Sequence, residues 1–509
     1  MASIRPVGKG DEGNAVTEQK MNWMRGLMLG ALVLAGAAQA QDGVIVKQYD
    51  DGSIYEGTFK DGRQDGIGTY RLPNGYEYSG DWVAGEIRGQ GVARYPNGSV
   101  YEGSFVAGKP EGTGKITYPD GGTYEGDWAD GKMTGSGTAT YADGSVYTGT
   151  FVDAVHDGQG TLRDAAGYIY EGAWKAGLKE GKGKLTYADG TIYEGDLVAG
   201  QRQGSGTLIM PDGLTYVGDW REGQINGTGK LTQPNGDVYE GPFVNGERVG
   251  RGKMSYGNGD LYEGYFLADR RHGKGVLTGP DGFTYEGDWV DGRIEGAGSV
   301  TYPDGGRYTG QFKNDQPEGL GDMTYADGAT YSGSWVAGVI EGQGRATYPN
   351  GQVYEGNFVN AQFQGAGVMI YPNGQRYDGN WEQGRRQGRG VTSYPDGTVY
   401  EGNFRDGQRH GSGEVRMPDG FTYVGDWVDG RMEGKGIATF PNGDVYEGGF
   451  VDGKREGQGI LRYAAGEQSQ GEWTKGLLTG PASEPAPDAS GAPVSDAPTP
   501  EQPAQAGGN

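Results

Sequence analysis

The sequence predicts an all-β fold: an elongated, twisted single-sheet array of antiparallel β-hairpins. Three observations predict it. A tyrosine recurs every 23 residues, from Tyr55 through Tyr78 to Tyr446, without an insertion or deletion. In 16 of the first 18 periods an Asp-Gly or Asn-Gly step stands between alternating segments, which is the strongest short signal for a β-hairpin. Glycine supplies 105 of the 509 residues but lacks the three-residue period of collagen.

Each unit is numbered here from its tyrosine, so that the first unit begins at Tyr55. Glycine occupies the third position in all 19 units, and the fifth position is aromatic in 18, with Leu197 as the exception. Strand alternation places Tyr124 and Trp128 on one face of their strand, and Glu125 on the other. Each hairpin is therefore predicted to have one aromatic face and one mostly polar face.

The glycines and turns are predicted to serve this packing. The Asp-Gly and Asn-Gly steps at positions twenty and twenty-one predict type I′ turns, in which both central residues have positive φ. The third-position glycine leaves room for a ring to lie flat on the backbone. The glycines at positions twelve and fourteen are expected to do the same beneath the rings of the neighbouring unit. Core packing is the first expectation for each ring, because a lone hairpin is marginal in water and stacked units stabilise one another.

Residues 21–40 have the features of a secretory signal peptide. Arg25 precedes an apolar run over residues 26–38, and the stretch closes with Ala-Gln-Ala, so that cleavage is predicted after Ala40. The apolar run is too short to cross a bilayer. The chain is therefore predicted to be exported, and to be periplasmic or secreted in a bacterium.

Composition divides the rest of the chain. The last stretch is rich in proline, alanine and acidic residues, so it is predicted to be disordered. At the end of the array Ser469 replaces the tyrosine, and we interpret this change as blunting an exposed sheet edge. The predicted segments are a polar extension over 1–20, the signal peptide over 21–40, a lead-in over 41–50, some 18–19 repeats over 51–480, and the tail over 481–509.

Charge and cysteine content exclude several kinds of function. The net charge of −24 predicts repulsion from nucleic acid and from anionic lipid. The chain has no cysteine, which removes disulfides, thiolate catalysis and zinc–thiolate sites. His156, His272 and His410 fall in distant units, so no catalytic constellation is expected. We predict no enzyme activity, no cofactor and no metal site, and we interpret the recurrent second-position glutamates as a solvated face.

Two stretches carry a family resemblance: "YEGDWADGKMTGSG" at 124–137 and "YEGNFRDGQRHGSG" at 400–413. They resemble the membrane occupation and recognition nexus (MORN) repeat, which reads Y-x-G-x-[W/F]-x-x-G-x-x-x-G-x-G. The resemblance covers about residues 51–480 and, with the signal peptide, indicates an exported bacterial member. It implies antiparallel hairpin arrays used for dimerisation, scaffolding and membrane attachment.

Three functions compete. The preferred one is a non-enzymatic scaffold or interaction protein of the cell envelope, whose partner is another protein or a second copy in a homodimer. The second is a binding module for a repetitive polymer, a glycan or extended peptide, stacked on an exposed aromatic ladder. The third is a membrane-associated tether, with anionic lipid disfavoured by the acidity. The candidate ladder comprises Tyr124, Trp128, Tyr170, Trp174, Tyr285, Trp289, Tyr331, Trp335, Tyr423 and Trp427.

Overall fold

A computed structural model describes residues 43–481, and all regular secondary structure in that part of the chain is β-strand. The all-β prediction is therefore confirmed. The predicted polar extension, signal peptide and cleavage site, and the tail from residue 482 onward, lie outside the described residues. The described residues form two compact bodies, the first ending at Pro303 and the second beginning at Asp304.

The first body contains 24 strands, which mostly alternate between seven and nine residues in length. They are β1 (Ile45–Gln48), β2 (Ile54–Lys60), β3 (Arg63–Arg71), β4 (Glu77–Val83), β5 (Glu86–Arg94), β6 (Val100–Val106), β7 (Lys109–Thr117), β8 (Thr123–Ala129), β9 (Lys132–Thr140), β10 (Val146–Val152), β11 (Val155–Arg163), β12 (Ile169–Lys175), β13 (Leu178–Thr186), β14 (Ile192–Val198), β15 (Gln201–Ile209), β16 (Thr215–Arg221), β17 (Gln224–Thr232), β18 (Val238–Val244), β19 (Glu247–Arg248), β20 (Gly250–Ser255), β21 (Leu261–Leu267), β22 (Arg270–Thr278), β23 (Thr284–Val290) and β24 (Arg293–Thr301).

The second body continues the same alternation over 16 strands. They are β25 (Arg307–Lys313), β26 (Gln316–Thr324), β27 (Thr330–Val336), β28 (Val339–Thr347), β29 (Val353–Val359), β30 (Gln362–Ile370), β31 (Arg376–Glu382), β32 (Arg385–Ser393), β33 (Val399–Arg405), β34 (Gln408–Arg416), β35 (Thr422–Val428), β36 (Arg431–Thr439), β37 (Val445–Val451), β38 (Lys454–Arg462), β39 (Gln468–Thr474) and β40 (Leu477–Pro481).

Within each body, strands that are consecutive in sequence pair antiparallel, so each body is an open sheet of hairpins. The register aligns the glycines of the third and fourteenth positions: Gly57 pairs with Gly68, and Gly68 pairs with Gly80 on its other side. A β-bulge follows the third position in most hairpins, as between Gly57 and Phe59. A stripe of paired glycines therefore crosses the sheet of each body.

Two kinds of turn connect the strands, and the type I′ turn predicted at positions twenty and twenty-one is wrong. At that loop Leu72 accepts a hydrogen bond from Gly75, which has φ 92, whereas Asn74 does not have positive φ. This is a three-residue loop, a type I turn followed by a glycine bulge. Its reason is the preceding Pro73, which fixes φ near −65° and favours the first central position of a type I turn.

The type I′ turn lies instead at positions seven and eight. Asp130 and Gly131 both have positive φ, at 51° and 81°, between the paired residues Ala129 and Lys132. The seventh residue has positive φ in every described unit, including alanines such as Ala84. The mirror-image turn matches the right-handed twist of the flanking strands, which explains why alanine is forced into it.

One hairpin of the first body, in the repeat that begins at Tyr239, departs from the pattern. Pro242 occupies the fourth position, and the glycine pairing found in the other hairpins is absent between β18 and β20. The nine-residue strand is also split at Val249, whose N–H donates to the Pro242 carbonyl. Proline has no N–H to donate to the ladder, which accounts for the local opening.

The aromatic face, here called the ring face, is packed as core. Each first-position tyrosine lies over two glycines: a Cβ built on Gly57 would stand 2.5 Å from the Tyr55 hydroxyl, and one on Gly68 would stand 2.2 Å from it. The flat ring was predicted. The prediction that the fourteenth-position glycine lies under a neighbouring unit's ring is wrong, because Gly68 belongs to the same unit as Tyr55.

The twelfth-position glycine has a different reason from the one predicted. Gly66 has φ 94, and a Cβ there would meet the side chain of Thr58 and not a ring. The residue follows the bulge, where the backbone turns into the left-handed region that favours glycine. Only the third- and fourteenth-position glycines therefore serve the ring.

Hydrogen bonds fix the rings of the ring face. The Tyr55 hydroxyl donates to the carbonyl of Thr58 at 3.0 Å, and the same bond recurs at all 18 first-position tyrosines. The indole N–H of Trp82 donates to the Gly68 carbonyl of the preceding unit at 3.2 Å. Tyr55 also packs edge-on against Phe59 and Trp82 with both centroid distances at 5.1 Å. A unit with tryptophan at the fifth position is thus tied to the preceding unit by an aromatic contact and a side-chain hydrogen bond, whereas phenylalanine there supplies the aromatic contact, as between Tyr78 and Phe105.

Candidate interaction surface

The ten residues of the predicted aromatic ladder are buried. These residues are at most 7% exposed, and Trp335 is the most exposed of them. All ten stand at first or fifth positions of their repeats, and six of them lie in the first body. The rings lie flat on the glycines or edge-on against each other, so they are occupied by core packing. The exposed ladder that a polymer-binding function requires is therefore not present at these residues.

Burial also sets the ionisation of these tyrosines. It raises the pKa of Tyr147 to about 12 and likewise raises that of Tyr124, because a phenolate would lose its solvation on the packed face. The hydroxyls stay protonated and keep donating to the backbone near neutral pH. They are structural donors, held in place by the strand carbonyls.

The tenth position completes the ring face and was missed by sequence reasoning. His156 stacks on Tyr147 with centroids 3.6 Å apart, and Phe363 stacks on Tyr354 at 3.9 Å. In other units an arginine takes this place, as where the Arg271 guanidinium lies 4.1 Å from the centre of the Trp289 ring. The residue type varies from histidine to phenylalanine to arginine, so no repeated letter marks the position.

The predicted separation of the histidines agrees with their contacts. His156 is hydrogen-bonded to the Tyr141 hydroxyl at 2.7 Å, and burial lowers its pKa to about 4. His410 lies 3.7 Å from the Asp429 carboxylate. Within residues 43–481, no cluster of three or more His, Asp or Glu side chains could hold a metal ion. In the same range, no helix is long and apolar enough to cross a bilayer.

The opposite face, here called the groove face, is open. The paired backbones of the third- and fourteenth-position glycines, whose Cβ positions face the ring side, form the floor of a groove of about 1090 Å³ between Gln159 and Gly218. A smaller groove of the same construction, about 560 Å³, runs between Ile67 and Gly103. The repeat therefore builds the same concave feature wherever its glycines pair.

The groove has two walls of side chains. One wall carries the second and fifteenth positions, including Glu171, Lys184 and Glu194, and the other carries the thirteenth, including Gln159 and Lys182. These side chains point away from the ring face and do not pack in the core. The thirteenth and fifteenth positions vary from unit to unit, whereas the second is glutamate in 11 of the first 18 units. The groove face is thus the part of the described chain whose chemistry is free to recognise a partner.

Charge on the groove face is mixed, and the lining of the larger groove carries Glu171 and Glu194 together with Lys182 and Lys184. Cross-strand pairs link the walls and neighbouring positions, such as Lys182 with Asp196 at 2.6 Å and Lys230 with Glu240 at 2.9 Å. Exposed pairs of this kind contribute little to stability, about 0–1 kcal/mol each. Acidic residues outnumber basic ones 68 to 44 in the chain. The net field therefore favours a partner segment that carries positive charge.

Comparison with known proteins identifies the repeat. The family model described as MORN repeat matches 17 segments, which run from 55–75 to 446–468 and together span more than half of the chain. Alsin from Rattus norvegicus is 44% identical over 52 residues, which is 9% of this chain and 3% of the length of alsin.

Among solved structures, similarity is found to the TCP domain of SAS-4 (dCPAP) of Drosophila melanogaster, solved in complex with a proline-rich motif of Ana2. The identity is 15% and the TM-score 0.20, with 42% of this chain and 99% of that one covered. The TCP10 domain of Danio rerio CPAP, in complex with a STIL peptide, gives 14% identity and a TM-score of 0.15, covering 53% of this chain and 96% of that one.

Proposed function

Because the chain belongs to the MORN repeat family, we propose that it is a non-enzymatic scaffold of the bacterial cell envelope. In this proposal it is exported to the periplasm or secreted, and it binds an elongated protein segment along the groove face. A repeat-based interaction role is what the family membership supports. The envelope location rests on the signal-peptide features of residues 21–40, and the partner is the proposal's own.

The observation that carries the proposal is that one face of the sheet is packed as core while the other is open to solvent. The ring face is buried and repetitive, whereas the groove face has a bare backbone floor and variable walls. A groove of about 1090 Å³ over six successive paired strands suits an extended or helical segment better than a small molecule. The acidic balance of the chain favours basic residues on that segment.

The competing functions lack a comparable feature. A glycan reader would need exposed rings, but the ten candidate rings are buried. A tether to anionic lipid would need a basic surface, and the chain has a net charge of −24. A protein partner requires neither, so the groove face favours it.

A photo-crosslinking experiment tests the proposal. A photoreactive residue replaces Thr207, on the groove wall, in the full chain produced in its own cells. We expect protein adducts in the periplasmic fraction, on a chain whose N-terminus is Gln41. Adding Glu194→Lys should reduce the adduct severalfold, because it places a like charge opposite a basic segment.

The control is Glu222→Lys, which makes the same charge change at a hairpin turn outside the groove and should leave the adduct unchanged. Glu222 is exposed and stands at the seventh position, away from both walls. Absence of protein adducts at Thr207, or an equal loss with both lysine variants, would contradict the groove as the binding surface. Recovery of the unprocessed chain from the cytosol would contradict the location.

A further inference from the structure

Three tenth-position arginines of the second body form a row of positive charges on the ring face. This row, here called the arginine stripe, consists of Arg386 in β32, Arg409 in β34 and Arg455 in β38, and all three are half-buried. The Arg409 guanidinium lies 5.0 Å from the centre of the Trp427 ring. The Arg455 guanidinium lies 4.2 Å from the centre of the Trp473 ring. The arginine stripe is therefore an outer layer that covers the packed rings.

No carboxylate of the described residues neutralises the arginine stripe. Within residues 43–481 its three guanidinium groups form no ion pair, although acidic residues outnumber basic ones 68 to 44 in the chain. On the groove face of the same body, by contrast, Arg376 lies 2.7 Å from the Asp378 carboxylate. A partly buried charge without a counter-ion is unfavourable, so the arginine stripe favours an anionic ligand.

The arginine stripe also keeps hydrogen-bond donors for such a ligand. Arg455 donates one hydrogen bond to the Gly476 carbonyl at 2.6 Å. Arg409 donates one to the hydroxyl of Tyr394, a half-buried residue at the eighteenth position. A guanidinium has five N–H groups and binds a carboxylate with two of them. Phe440, another half-buried residue of the eighteenth position, lies beside Arg455 with 5.8 Å between the guanidinium and the ring centre. The surface therefore combines donors for carboxylates with aromatic rings.

The chain itself contains a segment of complementary chemistry. Residues 482–509, here called the acidic tail, follow the last described residue and contain six prolines and no lysine or arginine. They carry four carboxylates, at Glu484, Asp488, Asp496 and Glu501. Opposite charge thus favours the acidic tail as the ligand of the arginine stripe.

The spacing of the array also suits a proline-rich chain. Such chains favour the polyproline II conformation, in which three residues make a turn about 9.3 Å long. Tenth positions of neighbouring units lie two strands apart, which is about 9.6 Å. A chain in this conformation that follows the array therefore presents the same side to every unit.

The acidic tail is long enough to reach the whole arginine stripe. β40, which ends at Pro481, and β32, which contains Arg386, are eight strands apart in the array. Eight strand spacings amount to about 38 Å. At about 3.1 Å per residue this distance needs about 12 residues, which is less than half of the acidic tail.

We propose that the acidic tail binds within the same chain along the ring face of the second body. Its carboxylates bind Arg386, Arg409 and Arg455, and its prolines lie against the half-buried rings of the eighteenth position. This contact goes beyond the proposed groove function, because the ring face and the groove face are opposite sides of the sheet. The bound tail covers the arginine stripe, which another anionic chain can then reach only when the tail leaves.

A distance between two spin labels tests the contact in the full chain. Because the chain has no cysteine, Val359→Cys and Ala492→Cys supply one labelled pair. Val359 is an exposed residue of β29, and Ala492 belongs to the acidic tail. Pulsed electron paramagnetic resonance should give a narrow distribution of distances. Changing the three arginines of the stripe together to glutamine should reduce the narrow fraction severalfold.

The matched control makes the same change of charge on the groove face. Arg376→Gln, Arg389→Gln and Arg416→Gln, combined, should leave the distribution narrow. Circular dichroism checks that both triple variants keep their β-structure. A second set of changes leaves the array untouched and should also broaden the distribution: Glu484→Gln, Asp488→Asn, Asp496→Asn and Glu501→Gln.

Three results would overturn the proposal. The first is a broad distribution in the labelled parent chain, and the second is a narrow distribution that survives neutralisation of the acidic tail. The third is an equal loss of the narrow fraction in the two arginine triple variants. If the parent distribution is broad while added polyglutamate changes the tryptophan fluorescence, the arginine stripe binds a separate anionic chain and the acidic tail is not its ligand.

Discussion

At the scale of the residue, the fold depends on the pairing of one ring with two glycines. The Tyr124 ring lies on Gly126 and Gly137, and its hydroxyl donates to the Asp127 carbonyl at 2.9 Å. The glycines are required by the close approach of the ring and not by their φ, which is negative or extended at both. A side chain on either glycine must therefore displace the ring.

Gly137→Ala should destabilise its hairpin by about 1–3 kcal/mol, because a Cβ there would stand 2.4 Å from a ring carbon of Tyr124. Hydrogen exchange of the β8 and β9 amides measures the loss locally. In a Tyr124→Ala background the same alanine should cost almost nothing further, as a double-mutant cycle would reveal. Equal costs in both backgrounds would mean that the ring does not require the glycine.

At the scale of the element, two different turns shape each hairpin unit. The three-residue loop begins with a proline in many units and uses one glycine at positive φ, whereas the two-residue turn forces its seventh-position residue into the left-handed region. The seventh residue is aspartate at Asp61, asparagine at Asn245 and alanine at Ala84. Aspartate and asparagine tolerate this region better than alanine.

Ala84→Asn should therefore stabilise the β4–β5 hairpin by up to about 1 kcal/mol. The reverse change, Asp61→Ala, should destabilise the β2–β3 hairpin by a similar amount, since Asp61 has φ 50 and Ala84 has φ 52. Denaturant unfolding followed by hydrogen exchange resolves the two hairpins. Effects of the same sign in both variants would argue against the turn as the cause.

The elements also set the limit of what sequence could predict. The 23-residue period and the glycine steps predicted hairpins, and alternation correctly placed Tyr124 and Trp128 on one face. The turn type was mispredicted because Pro73, which excludes positive φ at its own position, was not weighed against the Asn-Gly signal. The groove was not predicted at all, since it arises from the register that aligns glycines of different strands, and register is not visible in one strand's sequence.

At the scale of the whole molecule, the repeated tyrosines give the chain a collective response to alkali. Burial raises the pKa of Tyr55, Tyr262 and Tyr331 to about 12, and it raises the pKa of other first-position tyrosines, such as Tyr193 and Tyr400, in the same direction. An unfolded tyrosine titrates near pH 10. Between these values the unfolded chain has lost protons that the folded chain retains, so stability falls as pH rises.

The chain should accordingly keep its β-structure up to about pH 10 and unfold progressively as the pH approaches about 12. Absorbance at the phenolate band, recorded together with circular dichroism, checks this expectation. The two signals should change together, because ionisation requires the ring to leave its glycines. Full phenolate absorbance with the sheet intact would show that the hydroxyls are not held as the structure places them.

The bare floor of the groove has a consequence for how this protein can change over generations. Since the wall side chains do not pack in the core, substitutions there leave the packing of the ring face intact, and under the proposed function they change which partner is bound. Each 23-residue unit adds a few such positions. Duplication of a unit therefore lengthens the groove face, and later substitutions change its side chains one unit at a time. Fold and specificity can then drift separately, which is a route by which one ancestral hairpin could serve many unrelated partners.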